Sequence, residues 1–296
     1  MKSSLNFIVF FAIVILTQLL AGCSGCKQNK NTLGDKVNFE DINIIDTLDA
    51  VIMALPSPEE ILEYIKSNNV SFDNTLLSKN EITQKALNNT QKKITLGMYL
   101  ADLAYLSSFS KSEYLSEYMH LIDELLKDLE LTPIVSKELR SKLIDSDLNP
   151  QDIYQIVNQL HDSVINYLYD VDDGKTLTLI SIGTFCEIIY VSVNLHNDYD
   201  LFAESATKIT EQKLIYDDLL SMTNSFKDKE LQEFYEKLSV LNNHFASMNF
   251  DSEIISSETS EDSTLIINSL TTSELSKEKY TDFTKAVNQL RSDLLN

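Results

Sequence analysis

The chain has 296 residues, with 45 Asp or Glu against 24 Lys or Arg and a net charge of -21. That field repels phosphate backbones and anionic lipid surfaces, so neither nucleic acid nor peripheral docking on a membrane is expected. Six Gly and 4 Pro are too few for the many tight turns of an all-β protein, and three Cys make no disulfide framework.

At the N-terminus, Lys2 is the only charge ahead of an apolar run from Leu5 to Leu20, interrupted only by Asn6, Thr17 and Gln18. A basic start, an apolar stretch and small residues before a cleavage point are the requirements of an export signal, here residues 1–22. The run is near the lower length limit for a spanning helix. Leu20, Ala21, Gly22 and Cys23 resemble the lipobox of bacterial lipoproteins. The resemblance implies a diacylglycerol on Cys23, which becomes the first residue of the mature chain. Each buried methylene contributes about 0.8 kcal/mol, so two or more acyl chains make a lasting anchor. Ser24 follows in place of an inner-membrane retention Asp, and Lys27, Gln28, Asn29 and Lys30 lack an acidic surface-export cluster. The expected address is the outer membrane, facing the periplasm, with cell-surface display as the alternative. Residues 23–38 are polar and aperiodic, a flexible tether reaching up to roughly 50 Å when extended.

A helical domain is expected over 39–246. Ser57, Pro58 and Glu60 give a cap, a first-turn proline and a capping-box carboxylate, so a helix should run from there to about Asn68. A long helix follows over roughly Ile82 to Phe109. Leu115, Tyr118, Met119, Ile122, Leu125, Leu126 and Leu129 then recur at three- and four-residue steps as one apolar stripe. Thr132–Pro133 and Asn149–Pro150 repeat the cap-then-proline signal. After the second, Ile153, Ile156, Val157, Leu160, Val164, Leu168 and Val171 line one face, and Asp172, Asp173 and Gly174 end the helix. Later stripes are Leu231, Phe234, Tyr235, Leu238, Leu241 and Phe245, and Tyr280, Phe283, Val287, Leu290 and Leu294. Between them, residues 247–263 are rich in Ser, Glu and Asp and read as a linker, leaving 264–296 as a detachable C-terminal helix. The expected fold is all-α, an irregular multi-helix bundle around an apolar central helix. No tetratricopeptide-like period recurs.

The central helix is the segment Leu177 to Leu195, apolar nearly all round, with Glu187 its only charge. Its Ile and Val content also permits strands, above all from Ile189 to Leu195. Ile94 to Leu106 is similar, with Asp102 alone charged. A glycine inside a helix costs about 1 kcal/mol relative to alanine, so Gly97 and Gly183 call for a compensating close approach of these two helices. Ala54 to Pro58, the run Leu96 to Tyr105, and Ile182 and Gly183 with Glu187 and Tyr190 resemble a family of helical lipoproteins of Bacteroidota. Its pattern is Pro-Ser-Pro, then Leu-Gly-x-Tyr-x-Ala-Asp-Leu-x-Tyr, then a glycine-containing apolar segment. Thr184 and Phe185 stand where that family tends to carry a second glycine and a tryptophan. The resemblance covers roughly residues 50–200, and implies a helical fold and a lipid anchor but no activity.

A carboxylate in apolar surroundings must be paired, hydrogen-bonded or protonated, which makes Asp102 and Glu187 the candidate ligand-binding residues. Tyr99, Tyr105, Tyr190 or serine hydroxyls are the expected neighbours, and satisfying the carboxylates internally is the alternative role. His120, His161, His196 and His244 fall at no zinc spacing, so no metal is expected. Asp170, Asp172, Asp173 and Gly174 fail the EF-hand alignment, which would put Tyr169 and Val171 at ligand positions. Cys186 reads as a buried small hydrophobe, although a bridge to Cys26 is open in an oxidising compartment. No nucleophile elbow, phosphate loop or dinucleotide fingerprint occurs, so neither an enzyme nor a cofactor is expected. Tyrosines such as Tyr118 and Tyr235 lie in helical stripes, not on a sugar platform. The expected function is protein binding or support of an envelope assembly by a membrane-tethered periplasmic module. The alternative is small-ligand binding in a bundle cavity near Asp102 and Glu187.

Overall fold

A computed structural model describes residues 70–82, 87–143, 148–195, 199–248, 251–259, 265–272 and 276–295. The export signal, Cys23, Cys26, the tether and the helix expected at Ser57 lie outside the described residues. What is described is an all-α multi-helix body around a buried apolar helix. Its helices are α1 (Asn89–Ser108), α2 (Leu115–Asp128), α3 (Lys137–Leu143), α4 (Pro150–Asp170), α5 (Gly174–Asn194), α6 (Tyr199–Ser225), α7 (Lys229–Leu238), α8 (Asn242–Ser247) and α9 (Lys277–Leu295).

Capping decides where these helices begin. The first starts at Asn89 rather than near Ile82 because Asn88 and Gln91 form a reciprocal capping box, with bonds of 2.9 and 3.0 Å. Lys79–Ile82 is a separate single turn. Asn149 caps α4 by accepting from the backbone of Gln151 and Asp152, with Pro150 at the first position. The Thr132–Pro133 signal opens only a 3-10 turn, Thr132–Ile134; α3 starts beyond it, where the Ser136 hydroxyl accepts from Leu139 N. Gly174 does not stop α4. Asp172 is the left-handed residue (φ 56°), and Gly174 is already the first residue of α5, capped by Asp173.

The stripes read along α2, α4, α7 and α9 face the interior, with Leu129 and Tyr235 half-buried and one residue exposed. Val171 lies one residue past the end of α4 and is 51% exposed, since the chain leaves the helical path before reaching it. The 27-residue α6 has no clean stripe to announce it: Ile209, Tyr216, Leu219 and Met222 are buried, while Leu214 points outward. Asp251–Thr259 and Leu265–Thr272 pair as an antiparallel hairpin, with an irregularity between Ile254 and Ser256, where a linker and the onset of the last helix were expected. Backbone pairing between these Ile- and Thr-containing stretches replaces the aperiodic linker, and α9 starts later, at Lys277.

The centre is α5, helical throughout, with α1, α4, α6 and α9 packed on it. It is long and apolar enough to cross a membrane, yet 94% of its most apolar 18-residue window is buried by the rest of the body. Its most extensive contact is with α1. A Cβ added at Gly97 would overlap the Ile180 carbonyl oxygen and lie 2.8 Å from Thr184 N. One added at Gly183 would overlap the Ile94 carbonyl in the same way. The arrangement is reciprocal: each helix offers a glycine and, three residues earlier, an isoleucine carbonyl. Thr184, on the α5 side, donates from Oγ1 to Gly97 O at 3.1 Å and to Ile180 O at 3.0 Å. Because the obstructing atoms are backbone, no rotamer change relieves a substitution. Gly97→Ala and Gly183→Ala are each expected to cost about 3 kcal/mol or more, against about 0.5 kcal/mol or less for Leu214→Ala; urea denaturation measures all three.

Candidate functional site

Asp102 and Glu187 both have zero solvent exposure. Asp102 lies on α1 five residues beyond Gly97, and Glu187 on α5 four residues beyond Gly183, so each is about one helical turn from the crossing. The close approach that removes side-chain volume at the glycines therefore also takes water away from the carboxylates.

Asp102 is held through one oxygen. Its Oδ2 accepts from Ser78 N at 2.9 Å, Ser78 Oγ at 2.5 Å and the Tyr118 hydroxyl at 2.6 Å. Its Oδ1 is buried and accepts no hydrogen bond. Burial pushes its pKa up to about 6, against the lowering effects of the Ser78 and Tyr118 bonds and of the Arg291 charge. Tyr118 is pushed far upward by burial and by the charges of Asp102 and Glu187.

Glu187 is held through both oxygens. Arg291 of α9 donates from Nε to Oε2 at 2.7 Å and from a terminal nitrogen to Oε1 at 3.0 Å, a bidentate pair with the arginine only 3% exposed. The guanidinium carbon stands 3.9 Å from the ring centroid of Tyr190, so the cation is also stacked.

The other candidates divide. Tyr99 packs edge-on against Tyr118 with centroids 5.6 Å apart and is pushed upward, by burial first and then by Asp102. Tyr105 turns away from Asp102: its hydroxyl accepts from Asp73 N at 2.9 Å and donates to Asp73 O at 3.3 Å, and burial pushes it up to about 12. Tyr190 serves Glu187 through Arg291. Cys186 is a free, buried thiol, pushed upward by burial. Among the described residues no group of three His, Cys, Asp or Glu could hold a metal ion. Two open surface grooves, one along Asn224 to Glu236 and one between α3 and α4, lie away from both carboxylates.

The partners are Ser78, Tyr118 and Arg291, of which the sequence suggested only that a serine hydroxyl could serve, without saying which. Arg291 had a signal: it falls four residues after Val287 and three before Leu294, on the apolar stripe of α9, where a charge needs a buried partner. Ser78 had none, because nothing in its neighbours points to α1. The chain matches no known protein family, no curated protein and no solved structure.

The pair Glu187–Arg291 predicts strong coupling. Arg291→Met removes the guanidinium from a fully buried carboxylate and is expected to cost about 3–5 kcal/mol. Adding Glu187→Leu should recover most of that loss, and urea denaturation of both singles and the double gives the coupling energy. For Asp102 the folded-state value lies above the unfolded one, so its contribution is full below about pH 3.8 and is lost as pH rises through about 6. Relative to Asp102→Asn, the wild type should lose roughly 1–1.5 kcal/mol between pH 5 and pH 8, read from denaturation curves at both.

Proposed function

We propose that the protein is a lipid-anchored, non-catalytic module of the bacterial envelope that binds another envelope protein or supports its assembly. It is held at Cys23 in the outer membrane and faces the periplasm. The observation that carries this reading is that both carboxylates in the apolar centre hold one helix or segment to another. The buried charges are therefore structural, and what the body offers to a partner is its acidic surface. That surface argues against nucleic acid and for a protein with a complementary basic face. The lipobox-like Leu20 to Cys23 and the polar stretch to residue 38 support a body that works within reach of the membrane. The resemblance to helical lipoproteins of Bacteroidota points the same way.

A small-ligand reading keeps one supporting observation, the unpartnered Oδ1 of Asp102. Native mass spectrometry of protein purified from its own host separates the readings: a stoichiometric small molecule lost in Asp102→Asn favours the ligand, and its absence favours the protein partner. Anchoring is tested by growth with labelled palmitate. Label in the wild type and neither label nor membrane association in Cys23→Ser is the expected result. A Cys23→Ser chain that stays membrane-bound would overturn the anchor. Cross-linking in intact envelopes should then capture one stoichiometric protein with the wild type and lose it with Cys23→Ser.

A further inference from the structure

The segment Val70–Ile82 reaches α1 from upstream in the chain and is seated by Leu76, Leu77 and Ile82, all buried, and by Phe72, which packs against Tyr105, Phe109 and Tyr114 at 5.3–5.8 Å. Its polar attachment includes the pairing of Lys79 with Glu117 of α2 and two contacts to α1. Asp73 exchanges backbone bonds with the Tyr105 hydroxyl, and Ser78 gives Asp102 two of the three hydrogen bonds that reach that carboxylate. All three end on Oδ2, while Oδ1 is enclosed and without a donor.

A carboxylate so placed has a vacant oxygen for a proton. Protonation at Oδ1 leaves the Ser78 and Tyr118 donors on Oδ2, with bonds weakened by the loss of the charge they favour, and removes the larger cost of a buried charge. Withdrawal of Ser78 opens Asp102 toward water, where the ionised form is favoured. Docking of the segment and protonation of the carboxyl are therefore linked. We infer that Asp102 is a proton-dependent clasp on Val70–Ile82, closed more firmly when its Oδ1 is protonated and loosened when the carboxyl ionises.

The titratable and charged groups around Asp102 lie on α1, α2, α5 and α9 and on the segment itself. Tyr99 and Tyr105 share its helix and Tyr118 faces it from α2, all three pushed upward by burial. Arg291 faces it from α9, with Glu187 of α5 bound to that arginine. On the outer side, Lys79 pairs with Glu117 and lies over the rings of Tyr114 and Tyr118, and Glu124 acts on Tyr99. The upward displacement of Asp102 by burial agrees with a docked state that holds its proton more tightly. The clasp stands independently of the lipid anchor.

The test is hydrogen exchange of the full purified chain, read by mass spectrometry on peptides from Val70–Ile82. Rates are corrected for the intrinsic effect of pH and compared with peptides of α7. Wild type is expected to be about fourfold more protected near pH 5.5 than near pH 7.5. Asp102→Asn, the neutral isostere, should show high protection with no pH dependence. A pH-independent wild type, or a variant with the same dependence, would overturn the clasp. Should Asp102→Asn fail to fold, Ser78→Ala keeps the backbone donor and removes one bond. It is expected to lower protection at both pH values and to move the midpoint upward, and an unchanged profile would equally overturn the clasp.

Discussion

The contact of α1 with α5 at Gly97 and Gly183 is the constraint on which the rest of this molecule depends. Two helix backbones meet there without side chains between them, each glycine beneath the other helix's isoleucine carbonyl. Van der Waals attraction at such a distance is available only where no Cβ intervenes, and it offsets the conformational cost of glycine inside two helices. Thr184 adds a hydrogen bond across the contact. Once that pair is formed, α5 is enclosed on its remaining sides by α4, α6 and α9, and it has no polar face left to show.

The enclosure creates the polar problem that the chain then solves. Asp102 and Glu187 are each about a turn from the crossing and lose their water with it. Their partners come from opposite ends of the described chain: Ser78 from the segment before α1, and Arg291 from the last helix. A buried ion pair adds little net stability over a well-packed apolar pair, but a wrong placement leaves a bare charge in the interior. These contacts therefore act mainly to fix where the two ends dock. Apolar packing supplies the affinity. Tyr216 stacks on Phe245 at 4.7 Å and Phe245 meets Phe283 at 5.2 Å, which joins α6, α8 and α9.

A chain with six glycines must end its helices by other means. Ser110, Glu130 and Asp172 take the left-handed conformation after α1, α2 and α4. In each case the next residue donates back five positions, at 2.9, 2.7 and 2.9 Å, and closes the last turn. The steric cost of a left-handed residue with a Cβ is on the order of 1 kcal/mol, and the recovered carbonyl bonds offset it. Polar residues at these ends also keep the turns hydrated on an acidic surface.

Local chemistry was legible without the structure. Asn149 with Pro150 fixed a helix start, the stripes of α2, α4, α7 and α9 fixed which faces turn inward, and one glycine in each of the two least amphipathic segments marked them for close approach. Those features depend on neighbours within a turn or two, where the helical repeat alone sets geometry. The start of α1, the short turn at Thr132, the whole of α6 and the hairpin were not legible, because competing caps, an unstriped helix and strand pairing are decided by what packs nearby. The sequence by itself determined that Asp102 and Glu187 needed partners. Only the tertiary structure decided that these are Ser78, Tyr118 and Arg291, since a hydrogen bond selects by distance in space and those residues lie 24, 16 and 104 positions away along the chain.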